Sequence, residues 1–345
     1  MFITENIDSV EKLEACLAEP PEKLVAMMKR LDGDIIILGI AGKIGVSMGM
    51  QAVAAIRLAG VEKKVYGVAR FTNPEDRKKL DAAGVITIPC DLTEREQVQH
   101  LPRVKNVIFM AGRKFGTAGS EDLTWAMNIL APAAVAEYFK ESRIVAFSTG
   151  CIYPLRTAEQ GGCTEDVAPD PIGEYSQSCL GRERIFQFYA RKYATKLLLF
   201  RLNYSIDLRY GVLDDIGRAV WENRPVSNSV GSFNAIWQGD VTAAALLSLE
   251  LADNPCAILN VTGPETVNVE ETARRMGQLM GKEVKFQYEN GGAAGYLNNA
   301  GKMFRLLGYP RISMDEMIEL QVKWIMQGGI SIGKPTHFEV NNGKF

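Results

Sequence analysis

The first residues able to do chemistry are Gly39-Ile-Ala-Gly42-Lys43-Ile44-Gly45. They follow the apolar run Asp34-Ile-Ile-Ile-Leu and lead into a segment rich in Ala, Met and Val that reaches about Ala59. A strand, a glycine turn and a helix start, in that order, leave no Cβ in the path of a pyrophosphate approaching backbone N–H groups at a helix N-terminus. The spacing predicts a dinucleotide site, with Lys43 and Ile44 opening the helix. NAD binders place Asp or Glu at the end of the next strand, for the ribose 2′-hydroxyl. Here that place falls on Ala69, followed by Arg70. A small residue leaves room for a 2′-phosphate and a guanidinium can pair with it. NADP is therefore the expected cofactor, with NAD as the alternative and Arg70 as a solvated charge stacking on adenine.

Histidine is represented only by His100 and His337, which argues against a His-centred triad or a multi-His metal site. Acid–base work must come from Tyr, Lys, Asp, Glu or Cys. Cys16, Cys90, Cys151, Cys163, Cys179 and Cys256 form no Cys-x-x-Cys pair and no zinc spacing, so no metal is expected.

Positioning these groups needs a sheet. Apolar runs at Lys64–Arg70, Val85–Cys90, Asn106–Met110, Arg143–Ser148 and Lys196–Arg201 follow the first, mostly separated by polar segments of helix length. Strands alternating with helices predict an α/β fold, a doubly wound parallel (Rossmann) sheet. After Asn203 the alternation weakens. A strand at Cys256–Thr262, an amphipathic helix at 268–281 and another at 311–327 predict a smaller C-terminal α/β lobe. The organisation is an N-terminal helical extension (1–32) and a dinucleotide-binding domain (33–203, with 232–262 returning to it). A substrate lobe (204–231 and 263–333) and a tail (334–345) complete it.

The chain has 345 residues, 47% hydrophobic and 23% charged, with 39 Lys plus Arg against 41 Asp plus Glu and a formal charge of −2. That balance offers no global basic excess for nucleic acid. No uncharged run approaches a membrane span of about 20 residues, and the N-terminus is unlike a signal peptide. A cytoplasmic, reduced protein with ordinary core thiols is expected.

From about residue 34 to 327 the chain resembles the extended short-chain dehydrogenase/reductase superfamily, in its NAD-dependent epimerase/dehydratase branch. The resemblance is carried by Gly39, Gly42 and Gly45, by Cys90-Asp91-Leu92 and Met110-Ala111-Gly112, and by Phe147-Ser-Thr-Gly-Cys-Ile-Tyr153. Glu174-Tyr175-Ser-Gln-Ser-Cys179, Gln238-Gly-Asp-Val241 and Asn260-Val-Thr-Gly263 add to it. It implies that Asp91 and Leu92 flank an adenine and that Ala111 and Gly112 lie towards the ribose and nicotinamide. It further implies that Asn128 props the active site, that Thr149 holds a substrate oxygen and that Tyr175 is the acid/base.

The family's next catalytic group is a lysine one helical turn after the tyrosine, which favours the phenolate and binds the nicotinamide ribose. Cys179 stands there, with no positive charge and only a weak donor. Another cation fills in (Lys114, Arg182 or Lys334), or the oxidised nicotinamide suffices with slow turnover, or the chain keeps fold and cofactor as a sensor or scaffold. Nucleotide-sugar members carry a diphosphate-clamping arginine shortly before the late Asp-Val pair. Phe233 falls near that place, and 226–238 contain no Arg or Lys. Asn203 and Tyr204 keep polar groups in an otherwise altered segment. The expected substrate is a sugar, polyol or sugar acid without a nucleotide handle, oxidised, reduced or epimerised at a hydroxyl; a nucleotide sugar is the alternative. Arg209, Arg218 and Arg305 are spare candidates for an anion. His337 and Phe338 could cap the site or pack at an interface. Family members dimerise through the helices here spanning about 119–140 and 175–193. Trp125, Tyr138, Phe186, Phe188 and Tyr189 put apolar surface beyond one face of them, so a homodimer is expected.

Overall fold

The computed structural model describes residues 7–114, 116–288, 294–334, 336–340 and 342–343. Residues 1–6, Pro335, Asn341, Lys344 and Phe345, which belong to the expected N-terminal extension and tail, lie outside the described residues.

The chain opens with α1 (Val10–Ala18) and α2 (Glu22–Arg30), then alternates: β1 (Ile35–Leu38), α3 (Lys43–Ala59), β2 (Val65–Ala69), α4 (Pro74–Ala83), β3 (Ile86–Pro89), α5 (Arg95–Val98), β4 (Asn106–Phe109). Next come α6 (Glu121–Trp125), a π-helical turn at Ala126–Leu130, α7 (Ala131–Tyr138), β5 (Arg143–Thr149), α8 (Gly173–Tyr193) and β6 (Lys196–Leu202). The remainder holds β7 (Ser205–Ile206), α9 (Val212–Trp221), β8 (Val226–Ser227), β9 (Ser232–Phe233), β10 (Ile236–Trp237) and α10 (Gln238–Leu247). It ends with β11 (Ala257–Val261), β12 (Val267–Asn268), α11 (Val269–Met280), β13 (Phe286–Gln287), α12 (Gly301–Leu307) and α13 (Met314–Met326).

Seven strands form one sheet in the order β11-β6-β5-β4-β1-β2-β3, with every pair parallel. The strands run outward in both directions from β1 and β4, so the crevice for a ligand opens at the carboxyl ends of those two. β1 is four aliphatic residues, all buried, because helices cover both faces of the sheet. Its residues alternate between layers. Ile35 and Ile37 pack with α2, α3 and α10, whereas Ile36 and Leu38 pack with α7 and α8. The same alternation sends Leu198 and Phe200 of β6 one way and Leu197 and Leu199 the other.

A second core joins α9, α11 and α13 with β9 and β10. Leu13, Cys16 and Leu17 of α1 belong to that core, while Leu24, Met27 and Met28 of α2 belong to the sheet core. The N-terminal helices thus pin the two cores together. Ala300 and Met303 pack on the sheet core although they fall within 263–333, the segment expected to belong to the smaller lobe. Phe186, read from the sequence as surface for a partner, is a correction: it is 1% exposed and meets Phe109 edge-on at 5.1 Å. Alpha8 is packed on more of its circumference than a one-sided pattern predicts. Among the described residues no helix is long and apolar enough to cross a membrane.

Candidate active site

The glycine turn leaves β1 with Gly39 at φ +93°, a conformation that favours glycine. A Cβ there would sit 2.5 Å from the Ala111 nitrogen, because the β4 end crosses directly behind. A Cβ on Gly45 would strike the Ile40 carbonyl at 2.2 Å, so the third glycine seats α3 against the turn. Gly42 caps α3, and a Cβ there would meet only the Gly39 oxygen at 3.4 Å. The first-turn N–H groups of a helix lack intrahelical acceptors, and here the turn that carries them borders open space.

That space is two adjoining cavities. The outer one, about 220 Å³, is lined by Gly39, Ala69, Arg70, Asp91, Leu92 and Ala111. The inner one, about 310 Å³, reaches Lys43, Ile44, Thr149, Tyr175 and Arg182. Gly42, Met110 and Gly112 border both. An elongated ligand could therefore run from β2 past the glycine turn to the end of β5. The Arg70 side chain is exposed, with its guanidinium 3.8 Å from the Asp91 carboxylate. Asp91 also accepts hydrogen bonds from the Thr93 amide and hydroxyl at 3.0 and 2.7 Å. Burial alone would raise the Asp91 pKa, but the Thr93 bonds and Arg70 outweigh it and hold the carboxyl below its usual value.

Thr149 ends β5 and Tyr175 lies in the first turn of α8, where their side chains come within hydrogen-bonding reach. Burial pushes the phenol well above its ordinary pKa; Cys179 and Cys151 add to that, while Arg182 and Thr149 oppose it. Cys179, one turn on, is buried among Ile152, Tyr153, Cys163 and Val167. Burial pushes its thiol up, so it stays neutral and supplies no charge.

The charge comes from two other places. Arg182 is buried and donates to the Phe147 carbonyl at 2.9 Å and to the Asn128 side-chain oxygen. A Cβ on Gly112 would lie 2.3 Å from its Nη2, so a glycine at the end of β4 makes the room for the guanidinium. Asn128 sits in the π-helical turn, a local widening common at functional sites. Its amide donates to the Ser178 hydroxyl at 2.9 Å, and the Cys179 sulfur is 4.0 Å away. Asn128 and Cys179 stand behind the cavity wall. Lys114 lies on the other side, with Nζ 5.9 Å from the Tyr175 ring centre and donating to the Thr336 carbonyl at 3.3 Å. Burial lowers its pKa. Lys334 lines a separate cavity with Asp214 and Arg218. Of the three cations that could replace the lysine, Arg182 and Lys114 meet at Tyr175.

Alpha8 is held in place by a buried ion pair: Arg201 of β6 donates to both Glu183 oxygens, at 2.9 and 2.7 Å. Arg201 also donates to the Tyr153 hydroxyl at 2.5 Å, which donates to Asn260 at 2.9 Å. Arg209 and Arg218 are committed to Asp207 and Asp214 at 2.6 and 2.8 Å.

Sequence reasoning missed several lining groups. Lys43 was legible only as a backbone position, but its ammonium lies 3.3 Å from the centre of the Tyr210 ring. Burial lowers its pKa to about 7, helped by Lys114 and Arg209 and opposed by Asp207 and Asp215. Tyr210 and Thr336 line the inner cavity too, beside Asn203 and Tyr204, whose polar groups the sequence points to. Thr336 belongs to the tail, and Asp215 of α9 holds it by accepting from its amide at 2.9 Å and its hydroxyl at 2.5 Å. Phe338 is buried in the second core, with its ring 6.5 Å from that of Phe233. Farther on, Gly343 lies against Gly173 at the start of α8: a Cβ on Gly173 would stand 2.2 Å from the Gly343 oxygen. The tail spans the cleft between the lobes. Among the described residues no cluster of His, Cys, Asp and Glu could hold a metal.

No protein-family model matches the sequence, and no curated relative does. Solved structures do match in fold. A UDP-glucose 4-epimerase from Thermotoga maritima with UDP-glucose is 18% identical, with a TM-score of 0.69 over 86% of this chain and 99% of its own. A UDP-glucuronic acid 4-epimerase from Bacillus cereus in complex with NAD is 17% identical, with a TM-score of 0.69 over 85% and 99%. A dTDP-glucose 4,6-dehydratase from Streptomyces venezuelae with NAD bound is 17% identical, with a TM-score of 0.71 over 85% and 97%. The Rossmann architecture expected from the sequence is the one these proteins share.

Proposed function

We propose that this chain is an oxidoreductase or epimerase of the extended short-chain dehydrogenase/reductase type. It acts with a nicotinamide cofactor, NADP before NAD, on a hydroxyl of a small sugar, polyol or sugar acid. The observation that carries the reading is the contact between Thr149 and Tyr175 at the inner end of a cavity that begins at a glycine turn. The open face of Gly42 and the two connected cavities fit a dinucleotide. Such a cofactor, when bound, supplies hydride exchange at its nicotinamide.

The chain's own residues do the rest. Thr149 orients the substrate oxygen. Tyr175 accepts or returns the hydroxyl proton. An opposite charge beside a phenol favours its ionised form, which assigns Arg182 the role of the absent lysine, with Asn128 holding the guanidinium. The Thr336–Phe338 segment covers the cavity and limits water entry.

The same segment supports a substrate without a nucleotide. Phe233, where a diphosphate clamp is expected by resemblance, packs against Phe338 and anchors the tail across the cleft. The solved complex of the Thermotoga enzyme with UDP-glucose favours a nucleotide sugar as the second reading. NADP is favoured because β2 ends in Ala69 with no carboxylate, and Arg70 lies exposed beside the outer cavity. A homodimer is proposed on exposed Leu123, Leu130 and Phe188 along the α6–α8 face. A cytoplasmic setting is proposed on six cysteines that form no disulfide.

The test is a screen of aldoses, alditols, aldonates and nucleotide sugars for NADP⁺ or NAD⁺ reduction and for epimerised product. Turnover that disappears in Tyr175→Phe supports the enzyme. Tight cofactor binding with no turnover on any class would leave the sensor or scaffold reading standing.

A further inference from the structure

The inner cavity is charged on one sign. Lys43, Arg113, Lys114 and Arg182 line it, and among the described residues no Asp or Glu does. Of the carboxylates beyond the wall that act on the lysines, Asp215 is covered by the Thr336 amide and hydroxyl, Asp207 is paired with Arg209 at 2.6 Å, and Glu339 lies 3.7 Å from His337. Arg182 is bonded to Asn128 and to the Phe147 carbonyl behind Gly112. Arg113 turns back to the Gly116 carbonyl at 2.8 Å. Lys43 and Lys114 differ from both. Each brings an ammonium to the cavity that Thr149, Tyr175 and Tyr210 also line. Lys43 rests on the face of Tyr210 and Lys114 reaches Thr336, so one comes from the glycine turn and the other from the end of β4.

Two ammonium groups crowded in one cavity repel each other, and a like charge disfavours each charged form. An anion between them would remove that cost. We infer that Lys43 and Lys114 bind the carboxylate of a small polyhydroxy acid and set its hydroxyl against Thr149 and Tyr175. This inference rests on the proposed oxidoreductase or epimerase reading and narrows its substrate class.

The chemistry selects a carboxylate over a phosphate ester. Lysine binds phosphate as a point charge, but bidentate phosphate recognition draws on helix N-termini and on Arg forks, and the forks here, Arg113 and Arg182, are turned to the Gly116 and Phe147 carbonyls. Two helix N-termini border the cavity: that of α3, which belongs to the cofactor pyrophosphate in the proposed reading, and that of α9, whose first turn carries Asp214 and Asp215 and so disfavours a dianion. What remains are two point-charge donors with the Tyr204 and Tyr210 phenols beside them. The cavity of about 310 Å³ must also admit the nicotinamide end of the cofactor. That leaves room for an acid of a few carbons. The side chain of Lys43 faces the second lobe, so its removal spares the backbone N–H beside the pyrophosphate path.

The experiment is calorimetric titration of the cofactor-saturated protein with matched pairs: gluconate and glucitol, ribonate and ribitol, threonate and threitol. A hexose phosphate is added as a fourth probe. At least one carboxylate should bind about tenfold or more tightly than its alditol, a difference of about 1.4 kcal/mol. Lys43→Met and Lys114→Met should each erase that preference, and Lys43→Arg should restore part of it. Cofactor affinity of Lys43→Met, read from NADPH or NADH fluorescence, should stay within about threefold of wild type. No carboxylate preference, a preference that survives both substitutions, or binding of the phosphate ester alone overturns the inference. A large loss of cofactor affinity in Lys43→Met assigns the side chain to the pyrophosphate and overturns it as well. Turnover of alditols without carboxylate preference would sink this inference and leave the oxidoreductase standing. Absence of cofactor binding by wild type would sink both.

Discussion

Replacing Arg182 by Met tests whether its guanidinium does the work of the lysine that Cys179 displaces. Residues seven apart on a helix are offset by about 10 Å along its axis, and long helical side chains lean back towards the N-terminus. Arg182 therefore reaches towards Tyr175, as its bond to the Phe147 carbonyl and its place beneath Gly112 require. For an illustrative separation of about 7 Å and an effective dielectric near 20, the interaction is roughly 2 kcal/mol. That is about 1.5 pKa units at the phenol. Arg182→Met should move the pH–rate profile up by about that amount and lower the rate on its low-pH side roughly 30-fold. Arg182→Lys keeps the charge and should recover part of both. The assay is the rate of nicotinamide absorbance change across pH with whichever substrate the screen selects. Folding is checked in parallel, because Asn128 loses a partner and each buried bond left unmade costs about 1–3 kcal/mol. A folded Arg182→Met protein with an unmoved profile would refute the assignment, and the same series would then be run on Lys114.

Arg70→Ala should weaken NADPH binding by roughly 1.5–3 kcal/mol, the worth of a hydrogen bond to a charged group, and leave NADH nearly unchanged; equal losses in fluorescence titration would remove the 2′-phosphate role. Glu183→Gln leaves Arg201 charged and buried without its counter-ion, so denaturant unfolding should show a loss of about 3 kcal/mol or more; a loss below about 1 kcal/mol would mean that water or Tyr153 compensates. Lys43 is protonated below about 7 and neutral above it. Carboxylate affinity should hence be level below that pH and fall above it, by up to about tenfold per unit. Asp207, Asp215, Lys114, Arg209 and Tyr210 surround this ammonium, so the profile should be compared with that of Lys43→Met, where the fall should flatten to what Lys114, whose pKa burial also lowers, contributes. Light scattering should give the mass of a dimer, and Phe188→Asp with Leu130→Asp should convert it to a monomer.

The sheet was legible because buried parallel strands read as continuous aliphatic runs, and β1, β4 and β6 are of that kind. The glycine turn was legible because strand, turn and helix are contiguous in sequence. Tyr175 and Thr149 could be paired only through the family resemblance, since β5 and α8 meet in space. Which cation stands in for the lysine was undecidable from spacing. The answer depends on the bare face of Gly112, in the loop after β4, which admits the Arg182 guanidinium. The Lys43 side chain was unreadable for the same reason: its partner Tyr210 comes from the other lobe. Phe186 was misassigned because the apolar face of α8 is wider than a single stripe, and the widening is made by Phe109 beneath it.

The departures from the family pattern are linked by the geometry. A lysine at position 179 would bury its ammonium among Ile152, Tyr153 and Cys163, with Arg182 already present one turn later. Two cations around one Asn128 would repel each other, and the Phe147 carbonyl and the Asn128 amide oxygen are already taken by Arg182. Cys179 is therefore the residue that lets Arg182 be the cation of the inner wall. The same logic holds at the outer wall. An arginine at Phe233 would leave Phe338 without its aromatic partner and put a charge into the second core. Phe233 is thus what allows the tail to cross, and the crossing brings Thr336 to Lys114 and Asp215. With the tail in place Thr336 lines the cavity beside Lys43 and Lys114, which suits the proposed substrate without a bulky handle. On the proposed reading, the missing diphosphate clamp and the two lysines inside the cavity go together, because the substrate is then held by a charge beside the reacting carbon rather than by distant phosphates. If that is right, Phe233→Arg should free the tail and weaken carboxylate binding together. Proteolysis after residue 332 would report the first effect and calorimetry the second. A released tail with unchanged carboxylate affinity would uncouple the two walls and refute the connection.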